Sequence, residues 1–301
     1  MNRRRFIQYS VAGTAALASF PAFSTEKKKS FPIGACDWSI GKRGSVEAMS
    51  VARTIGLSGV QVSFGKPGAE VDLRKAETRK AYVDAARKTG VGIASLAMGV
   101  LNHEPYSSSP DAEKWVSDCI DVMATMKKEA AEMKDRQLAA KVSPDIVLLA
   151  FFGKGDINGK PDLMKSVIER LKKVAPKAEK AGVVLGIESW LSREDHMKII
   201  DGVGSSAVQV YYDVANSTKQ GYDIYEEIKT LGTKYICQMH AKENGFLLGE
   251  GKVDFPRLKK VLDGIGYSDW LVIESAIPKK TPMEKAYKHN RAYLEKVFHG
   301  K

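Results

Sequence analysis

The sequence contains few cysteines, few histidines and no apolar run long enough for a permanent membrane anchor. Its three cysteines, Cys36, Cys119 and Cys237, are odd in number and far apart, which indicates buried thiols rather than a disulfide framework. Two of its five histidines, His289 and His299, lie in or directly after the predicted last helix. Too few histidines remain for a site of several zinc ions, and this argues against a multi-zinc nuclease.

The charge pattern gives no sign of a nucleic-acid partner. The formal net charge is +11, and three of these charges come from Arg3, Arg4 and Arg5. Most of the remaining excess is lysine spread along predicted helices, which is typical of a solvated surface rather than a nucleic-acid-binding patch. We therefore expect no nucleic-acid partner.

The first 24 residues resemble a twin-arginine export signal. Arginines at positions 3–5 precede a weakly apolar stretch, 11–23, and small residues at Ala22 and Ser24 suit cleavage after Ser24. The apolar stretch is shorter than the roughly 20 residues that span a bilayer, so we expect no stable membrane anchor after cleavage. This predicts a signal peptide over 1–24, a spacer over 25–31 and a periplasmic protein. A basic tail without a targeting role is the alternative.

Four short apolar runs in the second half of the chain each end on a residue that can bind a metal. They are the runs that end at Glu188, Asp213, His240 and Glu274, and these residues are 25, 27 and 34 positions apart. The runs are short and rich in β-branched and aromatic residues, which predicts buried parallel strands, and the spacing is about one strand-helix unit. In a β/α barrel such strand ends meet at the rim that carries active sites. At that rim, one imidazole and three carboxylates would suit a single divalent ion. Each of the four residues taken alone could simply be the polar residue that ends a strand.

The rest of the chain predicts four more strands and eight helices. The predicted early strands are 32–38, 59–64, 91–98 and 145–152, and the predicted helices are 46–54, 74–88, 111–141, 161–181, 193–200, 222–231, 255–262 and 283–298. Ser45 is the predicted N-cap of the first helix. The fold class that follows is α/β, a single (β/α)8 TIM barrel over 32–298.

The motifs around the four candidate ligands resemble those of the sugar phosphate isomerase/epimerase family of xylose isomerase-like barrels. They are Gly186-Ile187-Glu188, Tyr212-Asp213, His240-Ala241-Lys242-Glu243, Ile273-Glu274-Ser275 and the later tract 248–255. The resemblance implies that the four candidates hold one divalent metal and that Glu188 and Glu274 also move the substrate proton. The chain departs from the family at Gln61, where many members have Glu, at Asn216, where epimerases often have His, and at Phe246, where some have a substrate-binding Arg. The identity of the sugar therefore stays open.

The expected chemistry is proton transfer beside a carbonyl. A metal that chelates a ketone oxygen and the neighbouring hydroxyl acidifies the C–H between them and stabilises an enediolate, and two carboxylates can serve as general base and acid. Oxygen-rich ligation makes Mn²⁺ the first choice of metal, and Mg²⁺, Co²⁺ and Zn²⁺ are the alternatives. We expect a sugar isomerase or epimerase for a non-phosphorylated keto-sugar, because sugar phosphates are cytoplasmic. A 3-keto-glycoside lyase or hydratase and a non-catalytic sugar-binding protein are the alternatives.

Five further residues are candidate substrate contacts, and homo-oligomerisation stays open. Lys242 follows His240 by two positions and could hold a substrate oxygen or pair with Glu274. The others are His103 and Asn216, which follow strands 3 and 6, and Trp38 and Trp190, which could stack on a sugar face.

Overall fold

Eight parallel strands close into a barrel in the computed structural model, which describes residues 31–300. Each strand pairs with the next along the chain, and the last pairs with the first. The strands are β1 (Ile33–Cys36), β2 (Gly59–Ser63), β3 (Gly92–Met98), β4 (Ile146–Phe151), β5 (Val184–Ser189), β6 (Val208–Asp213), β7 (Ile236–Lys242) and β8 (Leu271–Glu274). The predicted single TIM barrel is confirmed, and the predicted export signal lies outside the described residues.

The strands are mostly apolar because both of their faces are covered. Every residue of β3 and of β4 is buried, as expected where side chains fill the barrel on one face and contact helices on the other. The surrounding helices are α1 (Ala48–Ile55), α2 (Ala76–Thr89), α3 (Pro110–Ala131), α4 (Arg136–Val142), α5 (Pro161–Ala181), α6 (Arg193–Val203), α7 (Val214–Gln220), α8 (Ile224–Tyr235), α9 (Phe255–Ile265) and α10 (Met283–His299).

The prediction of eight helices is wrong, because the described residues contain ten α-helices. The predicted helix 111–141 is divided into α3 and α4, and the Asp135 carboxylate starts the second helix by accepting hydrogen bonds from the backbone of Gln137 and Leu138. An additional helix, α7, follows β6 directly, and Asp213 caps it. The predicted N-cap Ser45 is also wrong: α1 begins at Ala48 without a side-chain cap.

The N-terminal edge of the described fold is held by the last helix. Phe31, which the sequence assigned to the spacer, is fully buried, and its ring centroid lies 5.1 Å from that of Phe298. The Phe31 carbonyl oxygen also lies 3.0 Å from Nε2 of His299. Phe31 therefore belongs to the barrel. None of the helices within residues 31–300 is long and apolar enough to cross a membrane.

Candidate metal site

The four candidate ligands meet at the carboxyl end of the barrel. Glu188 lies near the end of β5, Asp213 and Glu274 are the last residues of β6 and β8, and His240 lies in β7. Each offers one ligand atom, and these atoms all lie within 4.8 Å of one another. Four consecutive strands of the barrel thus place one imidazole and three carboxylates around one point, and we call these four residues the ligand cluster.

The imidazole of His240 lies at the centre of the cluster. Its Nδ1 is 3.0 Å from Oε1 of Glu188, 3.6 Å from Oδ2 of Asp213 and 3.6 Å from Oε2 of Glu274. The His240 side chain is fully buried. Its Nδ1 is therefore the nitrogen that faces the carboxylates.

Lys242 balances part of the negative charge. Its Nζ lies 2.7 Å from Oε2 of Glu274, the residue opposite it in the β7–β8 pairing, and 3.1 Å from Oδ2 of Asp213. Burial raises the pKa of Asp213, but Lys242 and His240 more than offset this and hold that pKa below its ordinary value. Burial raises the pKa of Glu188 to about 7, although His240 partly offsets the effect.

A chain of buried hydrogen bonds determines the orientation of His240. The Ala94 carbonyl can only accept, so Gln238 donates to it from Nε2 at 3.2 Å and presents Oε1 to the Ser95 hydroxyl at 2.6 Å. Ser95 uses its one proton there and accepts from Nε2 of Gln61 at 3.0 Å. Oε1 of Gln61 then lies 2.9 Å from Nε2 of His240. These directions require a proton on Nε2 of His240, so Nδ1 is the nitrogen that could bind a metal in the cluster.

Two other side chains complete this buried network. The Tyr211 hydroxyl donates to Oε1 of Gln238 at 2.9 Å, and the Cys36 thiol donates to Oε1 of Gln61 at 3.3 Å. Burial raises the pKa of the Cys36 thiol to about 12, so the thiol stays protonated beside the cluster. All three cysteines are buried and free, which confirms the predicted core thiols.

The ligand cluster fits a divalent cation. Three carboxylates outnumber the one ammonium that contacts them, and Oδ2 of Asp213 is buried without a hydrogen bond of acceptable geometry, although Lys242 lies close to it. A buried carboxylate oxygen of this kind would be stabilised by a divalent cation in addition to Lys242. The donor set of oxygens with one imidazole suits Mn²⁺, Mg²⁺, Co²⁺ or Zn²⁺.

Three of the five predicted substrate contacts lie against the cluster. Trp38 donates from Nε1 to Oε1 of Glu274 at 3.0 Å. Asn216 accepts from Nζ of Lys242 at 3.1 Å, and its Nδ2 lies 3.5 Å from Oε1 of Glu188. In the described residues Lys242 therefore pairs with the carboxylates rather than standing free for a substrate.

The other two predicted contacts lie outside the cluster. The ring of Trp190 packs edge-on against Phe152 with centroids 5.0 Å apart, and Nζ of Lys219 lies 5.0 Å from the centroid of the same ring. His103 is exposed and lines a cavity of about 980 Å³ above the ends of β2 and β3.

The sequence analysis missed the network beneath His240 because it considered only strand ends. Ser95, Gln238 and Tyr211 lie inside buried strands, where a polar group requires a partner. Their presence in apolar runs was the available signal. The partners lie on distant strands, so only the closed barrel identifies them.

Comparison with known proteins gives a family and a set of relatives. The family described as xylose isomerase-like TIM barrel matches residues 49–297. A 2-epi-5-epi-valiolone 7-phosphate 2-epimerase of Actinoplanes sp. is 24% identical over 241 residues, which are 77% of this chain and 82% of that protein. An L-ribulose-5-phosphate 3-epimerase of Salmonella typhi is 25% identical over 264 residues, 82% of this chain and 84% of that protein.

Solved structures of sugar epimerases have the same fold. An L-ribulose 3-epimerase has a TM-score of 0.65 at 20% identity and covers 90% of this chain and 95% of its own. A 3-keto-D-glucoside 4-epimerase from E. coli has a TM-score of 0.67 at 16% identity and covers 88% of this chain and 99% of its own. At these identities the likeness shows the fold alone.

Proposed function

The chain belongs to the xylose isomerase-like TIM barrel family, and we propose that it is a divalent-metal-dependent isomerase or epimerase of a non-phosphorylated keto-sugar. The observation that carries the proposal is the convergence of Glu188, Asp213, His240 and Glu274 at four consecutive strand ends. The relatives that match most of the chain are epimerases of sugars or of a sugar-like ring, which supports the same reaction type.

The ligand cluster would hold one divalent ion, which would supply positive charge beside a carbonyl oxygen of the sugar. Glu188 and Glu274 approach the centre of the cluster from β5 and β8, with β6 and β7 between them. One glutamate removes the proton from the carbon beside the carbonyl, and the other returns a proton at its own position. Removal of the proton by one glutamate and return of a proton by the other would invert the stereocentre or move the carbonyl to the neighbouring carbon.

The neighbouring side chains keep the two glutamates in distinct positions. Glu274 accepts hydrogen bonds from Trp38 and Lys242, whereas Glu188 contacts His240 and Asn216. Each glutamate thus has its own set of donors, so the two carboxylates need not move together. This arrangement suits two proton-transfer groups better than a site that only binds.

The preference for a non-phosphorylated sugar rests on the predicted twin-arginine signal. Residues 1–24 predict export, and sugar phosphates and the kinases that make them are cytoplasmic. We propose the periplasm as the place of action and Mn²⁺ as the first choice of metal.

A 3-keto-glycoside lyase is the second candidate, and the cavity at the ends of β2 and β3 favours it. The same proton abstraction beside a ketone would then expel the group on the neighbouring carbon instead of being followed by return of a proton. Space near the cluster would be needed for that group, and the cavity of about 980 Å³ at the ends of β2 and β3 lies at the same end of the barrel.

Solvent deuterium exchange tests the proposal without requiring the natural substrate. Protein loaded with Mn²⁺ is incubated in D₂O with a panel of free ketoses and 3-keto-glycosides, and incorporation beside the carbonyl is followed by NMR. The proposal predicts exchange that disappears on chelation and returns with added metal. Binding of these sugars without any exchange would instead indicate a sugar-binding protein.

Variants separate proton transfer from metal binding. Glu188→Gln or Glu274→Gln keeps an oxygen ligand but removes the acid–base function, so turnover should fall about 10²-fold or more even at full metal occupancy. Asp213→Asn should be largely rescued by excess metal. If both glutamine variants, loaded with metal, keep the native rate, the proposed proton shuttle is wrong. In the lyase, one variant should recover on substrates with good leaving groups and the other should not.

A further inference from the structure

The backbone of Ser275, the residue after Glu274, is held in the left-handed conformation. Within residues 31–300 only Ser275, with a φ of 50°, and Lys280, which lies in an exposed turn, have a positive φ without being glycine. This conformation is strained for a residue with a Cβ atom and relaxed for glycine. Such strain clusters at functional sites and persists only where the surrounding structure holds it in place. The contacts of Ser275 therefore show what holds the chain beside a candidate metal ligand.

Two hydroxyl groups accept a hydrogen bond from the backbone N–H of Ser275. Oη of Tyr287, a fully buried residue of α10, lies 3.2 Å from this nitrogen, and Oγ of Ser39, in the segment after β1, lies 3.3 Å from it. The next carbonyl, that of Ala276, accepts from Nδ2 of Asn290 at 2.7 Å. Asn290 also lies on α10, so the last helix holds the chain on both sides of the Ser275 α-carbon.

The segment after β1 also holds the Glu274 side chain. Trp38 donates from Nε1 to Oε1 of Glu274 at 3.0 Å, and its neighbour Ser39 accepts from the peptide N–H that follows Glu274. β1 and β8 are paired in the barrel, so these two contacts continue that pairing beyond the strand ends. Because α10 fixes the carbonyl of the residue after Ser275, a change of φ at Ser275 must be taken up by the peptide that joins it to Glu274. Such a change would move the Glu274 carboxylate relative to Trp38.

We propose that Tyr287 is a positioning residue, whose hydroxyl holds Ser275 in the left-handed conformation and so holds the Glu274 carboxylate in the ligand cluster. Among the described residues, no hydrogen bond joins Tyr287 directly to the cluster, so its effect passes through Ser275. The proposal rests on the proposed function only for its consequence, because Glu274 is there a metal ligand and a proton-transfer group. The position of Glu274 itself is measurable without metal or substrate.

The indole resonance of Trp38 reports the position of Glu274. Its Nε1–H is followed by ¹H–¹⁵N NMR in chelated protein and is assigned with Trp38→Phe. Tyr287→Phe keeps the buried ring but removes the acceptor, so this resonance should move upfield, toward that of an indole without a carboxylate partner. Mn²⁺ affinity, measured by competition with a chelator, should fall about fivefold, the scale of one net hydrogen bond. A Trp38 resonance that stays in place in Tyr287→Phe would overturn the proposal.

Ser275→Gly should remove the need for the Tyr287 hydroxyl, because glycine adopts the left-handed conformation without strain. In the Ser275→Gly background, Tyr287→Phe should leave the Trp38 resonance in place and change Mn²⁺ affinity by less than about twofold, which is a strong coupling between the two positions. Ser39→Ala removes the other acceptor at a partly buried position, and its loss of affinity should shrink in the same way. If the losses persist in the Ser275→Gly background, the hydroxyls act by another route and the proposal is wrong.

Tyr267→Phe is the matched control. Tyr267 is also a buried tyrosine, and its hydroxyl donates to the Trp270 carbonyl at 2.8 Å, before the start of β8. The variant loses a buried hydroxyl of the same kind at the other end of the strand. It should therefore lower the melting temperature without moving the Trp38 resonance or changing Mn²⁺ affinity. If Tyr267→Phe produces the same changes as Tyr287→Phe, a general loss of stability explains both, and the proposal is wrong.

These readouts separate the proposal from the proposed function. The native protein might neither bind Mn²⁺ at the cluster nor exchange protons, while the Trp38 resonance shifts in Tyr287→Phe and returns in the Ser275→Gly background. That result would refute the function and support the positioning of Glu274. Metal-dependent exchange without any response of the Trp38 resonance would instead support the function and refute the positioning role of Tyr287.

Discussion

Replacing Ser95 by Ala should weaken metal binding at a site that Ser95 does not touch. Ser95 joins Gln61 to Gln238, and through this link the Ala94 carbonyl determines which nitrogen of His240 carries the proton. Without the hydroxyl, the Gln61 amide can turn over, and His240 can then lose the orientation that presents Nδ1 to the carboxylates.

The expected loss is about tenfold in metal affinity, or about 1.4 kcal/mol, at the low end of the 10–100-fold scale for residues that support metal ligands. We choose the low end because the present orientation of the Gln61 amide, which accepts from His240 and Cys36, stays accessible in the variant. In that orientation the variant leaves Nε2 of Gln61 buried without an acceptor, which should reduce the free energy of unfolding by about 1–3 kcal/mol.

The assay is competition for Mn²⁺ against a chelator of known affinity, with ¹⁵N NMR of the histidines as a second readout. Ser143→Ala is the control, because its hydroxyl donates to the Ala139 carbonyl at the end of α4, outside the network. It should change stability without changing metal affinity. Native Mn²⁺ affinity in Ser95→Ala, with His240 still protonated at Nε2, would refute the proposed orienting role.

Three further predictions concern stability and targeting. Burial lowers the pKa of His196 to about 4, so its contribution to the free energy of unfolding should be complete above the unfolded-state pKa of about 6.5. That free energy should fall by up to about 3 kcal/mol as the pH drops to 4, and His196→Asn should reduce this pH dependence in urea titrations at each pH. Chelation should lower the unfolding free energy by about 2.7 kcal/mol relative to protein at a free ion concentration of 100 times Kd, and calorimetry would detect no such loss if the ion is not bound. Replacement of Arg3 and Arg4 by Lys should leave precursor in the cytoplasm, whereas normal export on a fractionation blot would refute the twin-arginine assignment.

The barrel and the ligand cluster could be predicted because each signal is local and repeated. Glu188, Asp213, His240 and Glu274 each end an apolar run, and their spacing matches one strand-helix unit. Parallel order then brings the strand ends together without any further information. The sequence allowed two roles for Lys242, a substrate contact or an ion pair with Glu274. Only the pairing of β7 with β8, which places the two residues opposite each other, decides for the ion pair.

The remaining features depend on contacts between distant parts of the chain. The break between α3 and α4 results from one capping carboxylate, Asp135, inside a stretch with a continuous helical pattern. The network beneath His240 joins β2, β3 and β7, and its hydrogen-bond directions start from the backbone carbonyl of Ala94. The cavity that His103 lines is formed by the ends of β2 and β3, the segments that follow them and the start of α3, so no single sequence pattern describes its shape.

Anomalous diffraction from crystals of protein purified without chelator tests the metal site most directly. The structure predicts a single anomalous peak within bonding distance of Glu188, Asp213, His240 and Glu274, with Nδ1 of His240 as the nitrogen ligand. Data collected on both sides of the Mn absorption edge would identify the element. Crystals would also be soaked with Mn²⁺, Co²⁺ and Zn²⁺ in turn, with Co²⁺ in place of Mg²⁺. No peak at these four residues after any of these soaks, or a metal bound through Nε2 of His240, would contradict the proposed site.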